Sequence, residues 1–454
     1  MKLYFCGGAG EVTGVKYLLE VKISKTKIIR VLIDCGILQG GFQEFEQNSK
    51  DFPFNPQNVD YLIVTHAHID HVGLIPKLYR DGFRGKIFCT EPTKDLMGLV
   101  LYDSQQLLEK ESRKRNEELL YSQRDVDGAL KLVQTVKYGT KKKIAENVLF
   151  KLNDAGHMLG SAIIEFWAEK KKIVFSGDLG NAPSPLLNPP KQIKDADYIL
   201  VESTYGDRIH EDQNERRKML ESIIEETYKN KGVLMIPAFA VERTQELLYE
   251  FNELINNCRV PQMPIFIDSP LAIKATQIYK SYPEYFNKEA KKLILSGDDL
   301  FKFPGLKYTQ EVDESKAINI VSSPKIIIAG SGMSTGGRII FHEKLYLPDS
   351  RNCLLITNFQ VKGSLGRQLL EGAKEVNLLD EVVPVRAKIV KIDGYSSHAD
   401  RKAIFHWLER FNKPVQHIWA VQGEIKAAES LAQLIKDHLG IPASVPQIGD
   451  IVEL

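Results

Sequence analysis

Residues Tyr61 to Gly73, which read Y-L-I-V-T-H-A-H-I-D-H-V-G, decide the fold and the chemistry expected of this chain. The first five residues are apolar or β-branched and predict a buried strand, and a helical pattern resumes at Val72. Loops at the carboxyl ends of strands are where layered α/β folds build their sites. The loop here carries four possible metal ligands, which are His66, His68, Asp70 and His71.

Imidazole and carboxylate are ligands that a divalent ion such as Zn²⁺ prefers. The spacing indicates two ions, with His66 and His68 facing the first. Asp70 and His71, carried round by the turn into the helix, would face a second ion about 4 Å away. The alternative is a polar loop with scattered histidines. Three histidines and an aspartate within six residues, directly after a buried strand, argue against that alternative.

The composition places the chain among globular proteins. It has 454 residues, 43% of them hydrophobic and 26% charged, which is enough for two domains with sizeable cores. The net charge of +1 excludes a global basic field, so binding of a nucleic acid would need a local patch. Five scattered cysteines without a C-x-x-C pair predict reduced thiols. Neither a signal peptide nor a long apolar run is present, which predicts a cytoplasmic protein.

Four further residues at predicted strand ends or in glycine turns have metal-site chemistry. Taken singly, each would more often be a turn residue than a ligand. Together with the first motif, His157 completes a three-histidine set for the first ion, and Asp178 can bridge both ions. Asp34 is either a plain turn former or a residue that orients a ligand histidine. Glu202 ends a buried strand, where an unpaired carboxylate is rare.

After Arg208 the pattern changes to a second α/β unit of doubly wound type. A predicted strand over Lys325 to Ala329 leads into the glycine-rich stretch Gly330 to Arg338. Converging backbone N–H groups, hydroxyl donors and a guanidinium would suit an anion there, and a flexible loop is the competing view. The residues expected to meet phosphate are Ser331, Gly332, Met333, Gly336, Arg338 and Arg243.

Two other segments complete the prediction. The stretch Asp103 to Arg124 predicts one charged helix with an apolar leucine stripe. Near the end of the chain, His398 lies at a predicted helix start. It could be a neighbour of the helix cap or a proton carrier.

These residues, taken in order, resemble the motifs of a known family. Asp34, the box from His66 to His71, His157, Asp178, Glu202 and His398 are similar to those of the β-CASP family in the metallo-β-lactamase superfamily. Its members are RNA nucleases related to the endonuclease subunit of the cleavage and polyadenylation factor and to ribonuclease J. The resemblance implies an α/β fold, a metallo-β-lactamase αββα sandwich with an inserted α/β β-CASP domain.

The resemblance also implies the domain limits. The metallo-β-lactamase domain is expected over residues 1–207 and 394–454, and the β-CASP domain over 208–393. Because the motifs run from end to end, a minimal, standalone form of the family is expected.

One position departs from the family pattern. The last family motif reads Val-His-Gly-Glu, and here the chain reads Val421-Gln422-Gly423-Glu424. A neutral amide oxygen is a poorer zinc ligand than imidazole, so Gln422 is a weak or lost ligand position. His417 lies five positions earlier on the same strand, about 16 Å away and on the opposite face, and cannot substitute. The departure is a natural variant with a weakly held second ion, an inactive paralogue, or a deliberate substitution.

The function implied by the resemblance is a zinc-dependent ribonuclease that hydrolyses phosphodiester bonds of single-stranded RNA in processing or decay. Two Zn²⁺ ions, or Mn²⁺ in their place, would activate the attacking water, which Asp70 would orient. His398, held by Glu202, would act as general acid. Endonuclease and 5′ exonuclease action stay open, and a homodimer is implied by resemblance only. The alternatives are an inactive RNA-binding paralogue or trapped mutant and, less favoured, a small-molecule metallohydrolase.

Overall fold

The computed structural model describes residues 1–39 and 42–454. The described chain divides into two compact units. The first unit comprises Met1–Ser184, Asn188–Ile209 and His398–Leu454, and the second comprises Pro185–Leu187 and His210–Ser397. The second unit is therefore inserted in the sequence of the first.

The β-strands are numbered along the chain. They are β1 (Lys2–Gly7), β2 (Lys16–Lys22), β3 (Ile28–Ile33), β4 (Tyr61–Ile63), β5 (Lys86–Cys89), β6 (Val133–Thr135), β7 (Lys141–Ala145), β8 (Val148–Asp154), β9 (Ala162–Ala168), β10 (Lys171–Phe175), β11 (Tyr198–Glu202), β12 (Val233–Pro237), β13 (Ile265–Asp268), β14 (Leu306–Tyr308), β15 (Lys325–Ala329), β16 (Cys353–Ile356), β17 (Glu375–Leu378), β18 (Glu381–Pro384), β19 (Lys388–Lys391), β20 (His417–Val421), β21 (Ala443–Ser444) and β22 (Ile451–Glu453).

The α-helices are numbered in the same way. They are α1 (Phe42–Ser49), α2 (Ile69–Val72), α3 (Ile75–Arg80), α4 (Glu91–Arg115), α5 (Gln123–Lys131), α6 (Gln213–Lys229), α7 (Arg243–Asn256), α8 (Pro270–Ser281), α9 (Lys288–Leu295), α10 (Val312–Ala317), α11 (Ile339–Tyr346), α12 (Leu365–Leu370), α13 (Arg401–Leu408) and α14 (Ile425–Leu439). Within the described ranges, no helix is both long and apolar enough to span a lipid bilayer.

The first unit is built on two seven-stranded sheets. Their strand orders are β22-β1-β2-β3-β4-β5-β6 and β21-β20-β11-β10-β9-β8-β7. One apolar core collects side chains from both sheets, among them Phe5, Leu19, Phe150 and Phe166, all fully buried. Burying such a side chain stabilises the fold by about 1.5–3 kcal/mol.

Helices cover the outer face of the second sheet. Ile404 of α13 and Leu431 and Ile435 of α14 join the sheet in a second apolar core. Leu431 and Ile435 are four residues apart, so they lie on one face of α14, and Gly440 ends that helix in a left-handed conformation with φ 64°. On the first sheet, α4 contacts β6. The unit is the sandwich that the sequence predicts.

Parallel pairing brings several strand ends to common edges. In the first sheet β3 runs parallel to β4, and in the second β10 runs parallel to β11, which runs parallel to β20. Asp34 and Gln422 follow β3 and β20 directly, and Glu202 is the last residue of β11. Parallel strands end at the same edge of a sheet, which is why residues distant in sequence can share one site.

The second unit is organised around a parallel sheet of six strands in the order β14-β13-β15-β12-β16-β19. Its central strand β15 is buried along its whole length, and Ile326, Ile327 and Ile328 are each at most 1% exposed. Continuous apolar runs of this kind are typical of parallel strands that are covered on both faces. The hairpin of β17 and β18 stands apart from this sheet.

The prediction of a single helix over residues 103–124 is wrong. The helix α4 ends at Arg115, because Asn116 adopts a left-handed conformation with φ 54°. The next helix, α5, begins after Ser122, whose backbone N–H donates to Asp125 Oδ2 over 2.8 Å. The cap and the left-handed residue break a run that the leucine stripe alone predicts to be continuous.

Candidate metal centre

Four side chains of the first unit converge at one point. His68 Nδ1 lies 3.2 Å from His66 Nε2 and 3.0 Å from His157 Nε2. Asp178 Oδ2 lies 3.4 Å from each of His66 Nε2 and His157 Nε2. All four donor atoms fall within 4.8 Å of one another, so they can hold one ion together.

The arrangement fits a tetrahedral ion. Zinc ligands at about 2.0–2.1 Å stand about 3.3 Å apart at the corners of a tetrahedron, close to the four separations found here. Asp178 Oδ2 is buried and, within the described part of the chain, accepts no hydrogen bond. A buried carboxylate oxygen without a donor is costly, so a cation at this position would satisfy it.

The protonation states of these groups also suit ligation. Burial holds the pKa of His68 and of His157 well below the usual value, so both imidazoles are neutral and keep a lone pair for an ion. Burial acts to raise the pKa of Asp178, but the surrounding histidines, His71 first, outweigh it and hold that pKa well below its usual range. Asp178 is therefore an ionised carboxylate.

Asp34 and Thr65 orient His71, the next candidate ligand. The Asp34 carboxylate accepts hydrogen bonds from the backbone N–H and the hydroxyl of Thr65, both over 2.7 Å. The same carboxylate accepts from His71 Nδ1 over 2.8 Å. This contact places the hydrogen on Nδ1 and directs the Nε2 lone pair of His71 toward the site. Sequence reasoning named Asp34 but missed Thr65, although a hydroxyl directly before the histidine box was the available signal.

Backbone contacts clamp the histidine box. The N–H of Cys35 donates to the carbonyl of His71 over 2.8 Å, and the N–H of Val15 donates to the carbonyl of Asp70 over 2.9 Å. A Cβ atom on Gly36 would lie only 1.5 Å from the Asp70 carbonyl oxygen. Gly36 therefore allows a close approach of two backbone segments that any other residue would push apart.

The point between the four converging donor atoms is called the first position. A second group of polar atoms surrounds Asp178 Oδ1 and defines the second position. Asp178 Oδ1 lies 3.3 Å from His71 Nε2, and Asp70 Oδ2 lies 3.8 Å from that nitrogen. Gln422 Nε2 lies 2.6 Å from Asp178 Oδ1 and 2.9 Å from His71 Nε2. Asp178 thus presents one oxygen to each position.

The partly buried His398 and the buried Glu202 form a pair next to the donor set. His398 Nδ1 lies 3.0 Å from Glu202 Oε2 and 3.8 Å from Asp178 Oδ2. Burial lowers the pKa of His398, but Glu202 and then Asp178 outweigh it and raise that pKa to about 9. The imidazole is therefore protonated near neutral pH, the state that a general acid needs.

Glu202 is fixed by its own contacts. Its Oε1 accepts a hydrogen bond from the Leu179 N–H over 2.6 Å, and its N–H donates to Ser176 Oγ over 3.0 Å. Asp178, Glu202 and His398 also stand close enough to share an ion. Both oxygens of Glu202 already have hydrogen-bond partners, however, so this trio fits a held imidazole better than a metal site.

Models of protein families match three stretches of the chain. The metallo-beta-lactamase superfamily domain matches residues 23–197, and the Beta-Casp domain matches 244–369. A Zn-dependent metallo-hydrolase RNA specificity domain matches 382–446.

Similar proteins extend this match over nearly the whole chain. Ribonuclease TTHA0252 of Thermus thermophilus is 36% identical over 435 residues, covering 96% of each chain. An RNase J-like protein of Methanocaldococcus jannaschii is 35% identical over 458 residues, covering 100% of this chain and 99% of its own. The chain belongs to the β-CASP family of metallo-β-lactamase nucleases. The transcription termination factor FttA of Methanocaldococcus jannaschii is 32% identical, covering 99% of this chain and 71% of its own.

A solved structure supports the fold alone. The crystal structure of a protein of unknown function from Enterococcus faecalis superposes with a TM-score of 0.54 at 10% identity, covering 100% of this chain and 99% of that one.

The family and the fold class predicted from the sequence are confirmed. The prediction of a metal-dependent nuclease is also confirmed.

The second unit, which contains the whole Beta-Casp match, presents the glycine-rich loop in a compact turn. The N–H of Ser331 donates to the Gly336 carbonyl over 3.1 Å, and Ser331 Oγ accepts from the Thr335 N–H over 3.0 Å. A Cβ atom on Gly332 would lie 2.9 Å from a backbone nitrogen, and Met333 is buried. This β-CASP loop is therefore held by its own hydrogen bonds, which argues against the competing view of a flexible loop.

Arg338 closes that loop instead of pointing freely into solvent. Its guanidinium donates to Asp268 Oδ1 over 2.7 Å and to the Gln310 carbonyl over 2.6 Å. Its side chain is 19% exposed. Sequence reasoning missed Asp268 as its anchor, although a carboxylate at the end of a buried strand is the same signal that singled out Glu202. A contact between Arg338 and phosphate stays a prediction.

The predicted direct contact of Arg243 with phosphate stays a prediction, and the surroundings of Arg243 do not favour it. Arg243 is 1% exposed and its guanidinium is bound by Glu246, Glu242 and Asn358, all in the β-CASP unit. Its charge is therefore already compensated by buried carboxylates, and a phosphate would have to displace them. The structure gives Arg243 a structural role in the unit.

Replacing Asp268 with asparagine is expected to destabilise the β-CASP unit by about 2–4 kcal/mol, because a fully buried charge accepts four hydrogen bonds here. The donors are Arg338, Thr309, Ser315 and His342. Denaturant unfolding measures the loss, and hydrogen exchange of residues 330–338 reports the local opening. Asp313→Asn, at a carboxylate that is 96% exposed, is the control.

The same carboxylate gives the expected pH dependence. Burial raises the pKa of Asp268, but hydrogen bonds, His342 first, outweigh it and lower that pKa to about 2. A carboxyl group whose pKa is lower in the folded than in the unfolded chain stabilises the fold above about pH 4. This contribution to stability disappears as the pH falls toward 2. Equal stability and exchange of Asp268→Asn and the unmodified chain would contradict this role.

Proposed function

We propose that this chain is a ribonuclease that hydrolyses phosphodiester bonds of single-stranded RNA at the metal centre of its first unit. The observation that carries the proposal is the set of four donors, His66, His68, His157 and Asp178, beside a protonated His398. Two of the similar proteins are named a ribonuclease and an RNase J-like protein, and residues 382–446 match a domain described by RNA specificity. Both likenesses favour RNA as the substrate.

The first position is proposed to hold Zn²⁺, with Mn²⁺ as the alternative, because imidazole and carboxylate donors suit both ions. When bound, the ion supplies Lewis acidity that stabilises negative charge on the phosphate. Asp178 would be the anionic ligand, and the imidazoles of His66, His68 and His157 would complete the set. The Asp34 carboxylate accepts a hydrogen bond from His71 Nδ1, so the other ring nitrogen, Nε2, faces the site.

His398 is proposed as the general acid. Its protonated imidazole would deliver a proton to the oxygen that leaves when the phosphodiester bond breaks. Glu202 holds the imidazole through Nδ1, which leaves Nε2 as the atom for proton transfer. Asp70 would orient the attacking water, and its carboxylate has a raised pKa because of burial and then Asp178.

The β-CASP unit is proposed to bind the RNA backbone through the loop of Ser331, Gly332, Met333 and Gly336. Hydroxyl and backbone N–H donors bind phosphate without reading bases, so little sequence preference is expected from them. We assign the metallo-β-lactamase domain to residues 1–207 and 394–454 and the β-CASP domain to 208–393. A cytoplasmic location, a homodimer and the choice between endonuclease and 5′ exonuclease action stay predictions.

A second candidate function follows from Gln422. An amide at a position where the family carries a histidine ligand would suit a protein that binds RNA without cutting it. The same fold and the same β-CASP loop would serve such a protein. Cleavage, measured separately from binding, therefore distinguishes the two functions.

The test is cleavage of an end-labelled single-stranded RNA by the full chain, stripped of metal and then reconstituted with Zn²⁺ or Mn²⁺. We expect cleavage that requires added metal and stops with a chelator, while a generic carboxylic ester stays intact. Tight RNA binding without cleavage under either ion would favour the silent RNA-binding protein. Hydrolysis of the ester without cleavage of RNA would overturn the proposed substrate.

A further inference from the structure

We propose that the side-chain amide of Gln422 takes the place of a second metal ion, so that this chain holds a single ion at the first position. The inference deepens the proposed function, because it rests on the metal centre assigned there. A pair of ions is expected from the spacing of the histidine box, but the residues around the second position do not fit an ion.

The amide makes the contacts that an ion would make. Gln422 Nε2 stands 2.6 Å from Asp178 Oδ1 and 2.9 Å from His71 Nε2. Those two atoms lie on the side of Asp178 that faces away from the first position, together with Asp70 Oδ2, and they are 3.3 Å apart. An NH₂ group has two hydrogens, one for each acceptor. The amide therefore satisfies both acceptors without any cation.

The decisive atom is His71 Nε2, because a neutral imidazole nitrogen has only one lone pair. His71 Nδ1 faces the Asp34 carboxylate at 2.8 Å, which requires the ring hydrogen on Nδ1. In the neutral ring Nε2 then accepts, and the amide hydrogen 2.9 Å away uses its lone pair. In a ring that the surrounding carboxylates keep protonated, Nε2 carries a hydrogen and has no lone pair for an ion. One lone pair cannot accept a hydrogen bond and coordinate an ion at the same time.

The orientation of the amide follows from its neighbours. An amide nitrogen and oxygen are told apart by their hydrogen-bond partners. With the oxygen in this position, two acceptor oxygens would meet at the 2.6 Å that separates Gln422 from Asp178 Oδ1, which is repulsive. The nitrogen is therefore the atom that faces Asp178.

The backbone holds the amide in place. The N–H of Gln422 donates to the Gly8 carbonyl over 2.8 Å, and its carbonyl accepts from Thr204 Oγ1 over 3.0 Å. The residue has φ 51° in the left-handed region, which is uncommon outside glycine and is maintained by surrounding contacts. Gln422 is 2% exposed, so an amide turned away from Asp178 and His71 would lose two acceptors that water cannot replace in a buried environment.

Metal stoichiometry tests the inference independently of activity. The full chain is stripped with a chelator, titrated with Zn²⁺, desalted, and analysed for zinc per chain by mass spectrometry. We expect one equivalent for the unmodified chain and two for Gln422→His, whose imidazole offers a lone pair in place of two hydrogens. Gln416→His, the same change at an exposed site near β20, is the control and should stay at one equivalent.

A second variant protects the test against misfolding. Gln422→Glu replaces the amide with a carboxylate of the same shape and is also expected to bind two equivalents. Two equivalents in the unmodified chain, or anomalous scattering from an ion between His71 and Asp178, would overturn the inference. One equivalent in both folded variants would also overturn it, because the amide would then not be what excludes the second ion.

Failure of this inference is distinguishable from failure of the proposed function. Cleavage of the labelled RNA is measured on the same samples. A chain that holds one ion and leaves RNA intact supports the single-ion centre and counts against the ribonuclease. A chain that holds two ions and cuts RNA does the reverse.

Discussion

The Asp178→Asn variant is expected to lose its bound metal and to cleave RNA at least about 10³-fold more slowly than the unmodified chain. Asp178 is the only carboxylate in the four-donor set of the first position, as far as the described residues show. The Asp178 carboxylate is ionised, because the surrounding histidines hold its pKa well below the usual range although burial acts to raise it. Several kcal/mol of stabilised charge in the transition state correspond to a loss of about this size.

An asparagine would also reverse the local hydrogen bonding. One side-chain oxygen of Asp178 accepts from Gln422 Nε2, and the other faces His66 and His157 without a donor. An amide has only one oxygen, so its NH₂ group would face either Gln422 or the two histidines. Neither arrangement leaves the site ready for a cation.

The measurement for this variant is zinc per chain together with the single-turnover rate of RNA cleavage. Asp195→Asn is the matched control, because Asp195 is a half-exposed carboxylate of the same unit that pairs with Lys172 and Lys413. That control should keep both metal and activity. Normal cleavage by Asp178→Asn would exclude the first position as the reaction centre.

Replacing His398 with asparagine is expected to lower the cleavage rate by about 10²–10⁴-fold, the usual contribution of a positioned general acid. Metal content should stay unchanged, because the donor set of the first position does not include His398. RNA affinity should also stay within a few fold. A loss of metal in this variant would instead make His398 a ligand, and an unchanged rate would exclude it as the acid.

The pH profile separates a proton donor from a merely structural histidine. Glu202 raises the pKa of His398 to about 9, so the unmodified enzyme keeps its acid protonated up to about that pH. The Glu202→Gln variant removes this charge, and the pKa of His398 then falls. Since the protonated imidazole is the active form, the alkaline decline of the rate should move to lower pH in the variant. An unshifted decline with a uniformly lower rate would mean that Glu202 only supports the structure.

Much of the site could be predicted because its residues lie in strong local patterns. The box from His66 to His71 combines three imidazoles and a carboxylate directly after a buried strand. Asp34, Asp178 and Glu202 are carboxylates at or just after strand ends, where unpaired charge is rare. Such positions can be predicted from the sequence, because strand periodicity and residue chemistry both depend on residues that are neighbours in the chain.

Partners across the fold could not be predicted in the same way. Arg243 was expected to meet phosphate, but the β-CASP unit binds its guanidinium with two buried glutamates and an asparagine. Arg338 is anchored by Asp268, which is 70 residues away along the chain. An arginine in a sequence shows a charge but not whether a carboxylate has already neutralised it.

The sequence by itself determined the family, and with it the sandwich and its inserted unit, because its motifs resemble those of that family. The candidate ligand types of the first metal position follow from the chemistry of adjacent residues. Only the tertiary structure decided what Gln422 does. From the sequence it is a poor ligand, since an amide oxygen binds zinc weakly. In the fold its nitrogen faces Asp178 and His71, which lie 244 and 351 residues away along the chain. Hydrogen-bond direction depends on such neighbours, and a linear pattern does not record them.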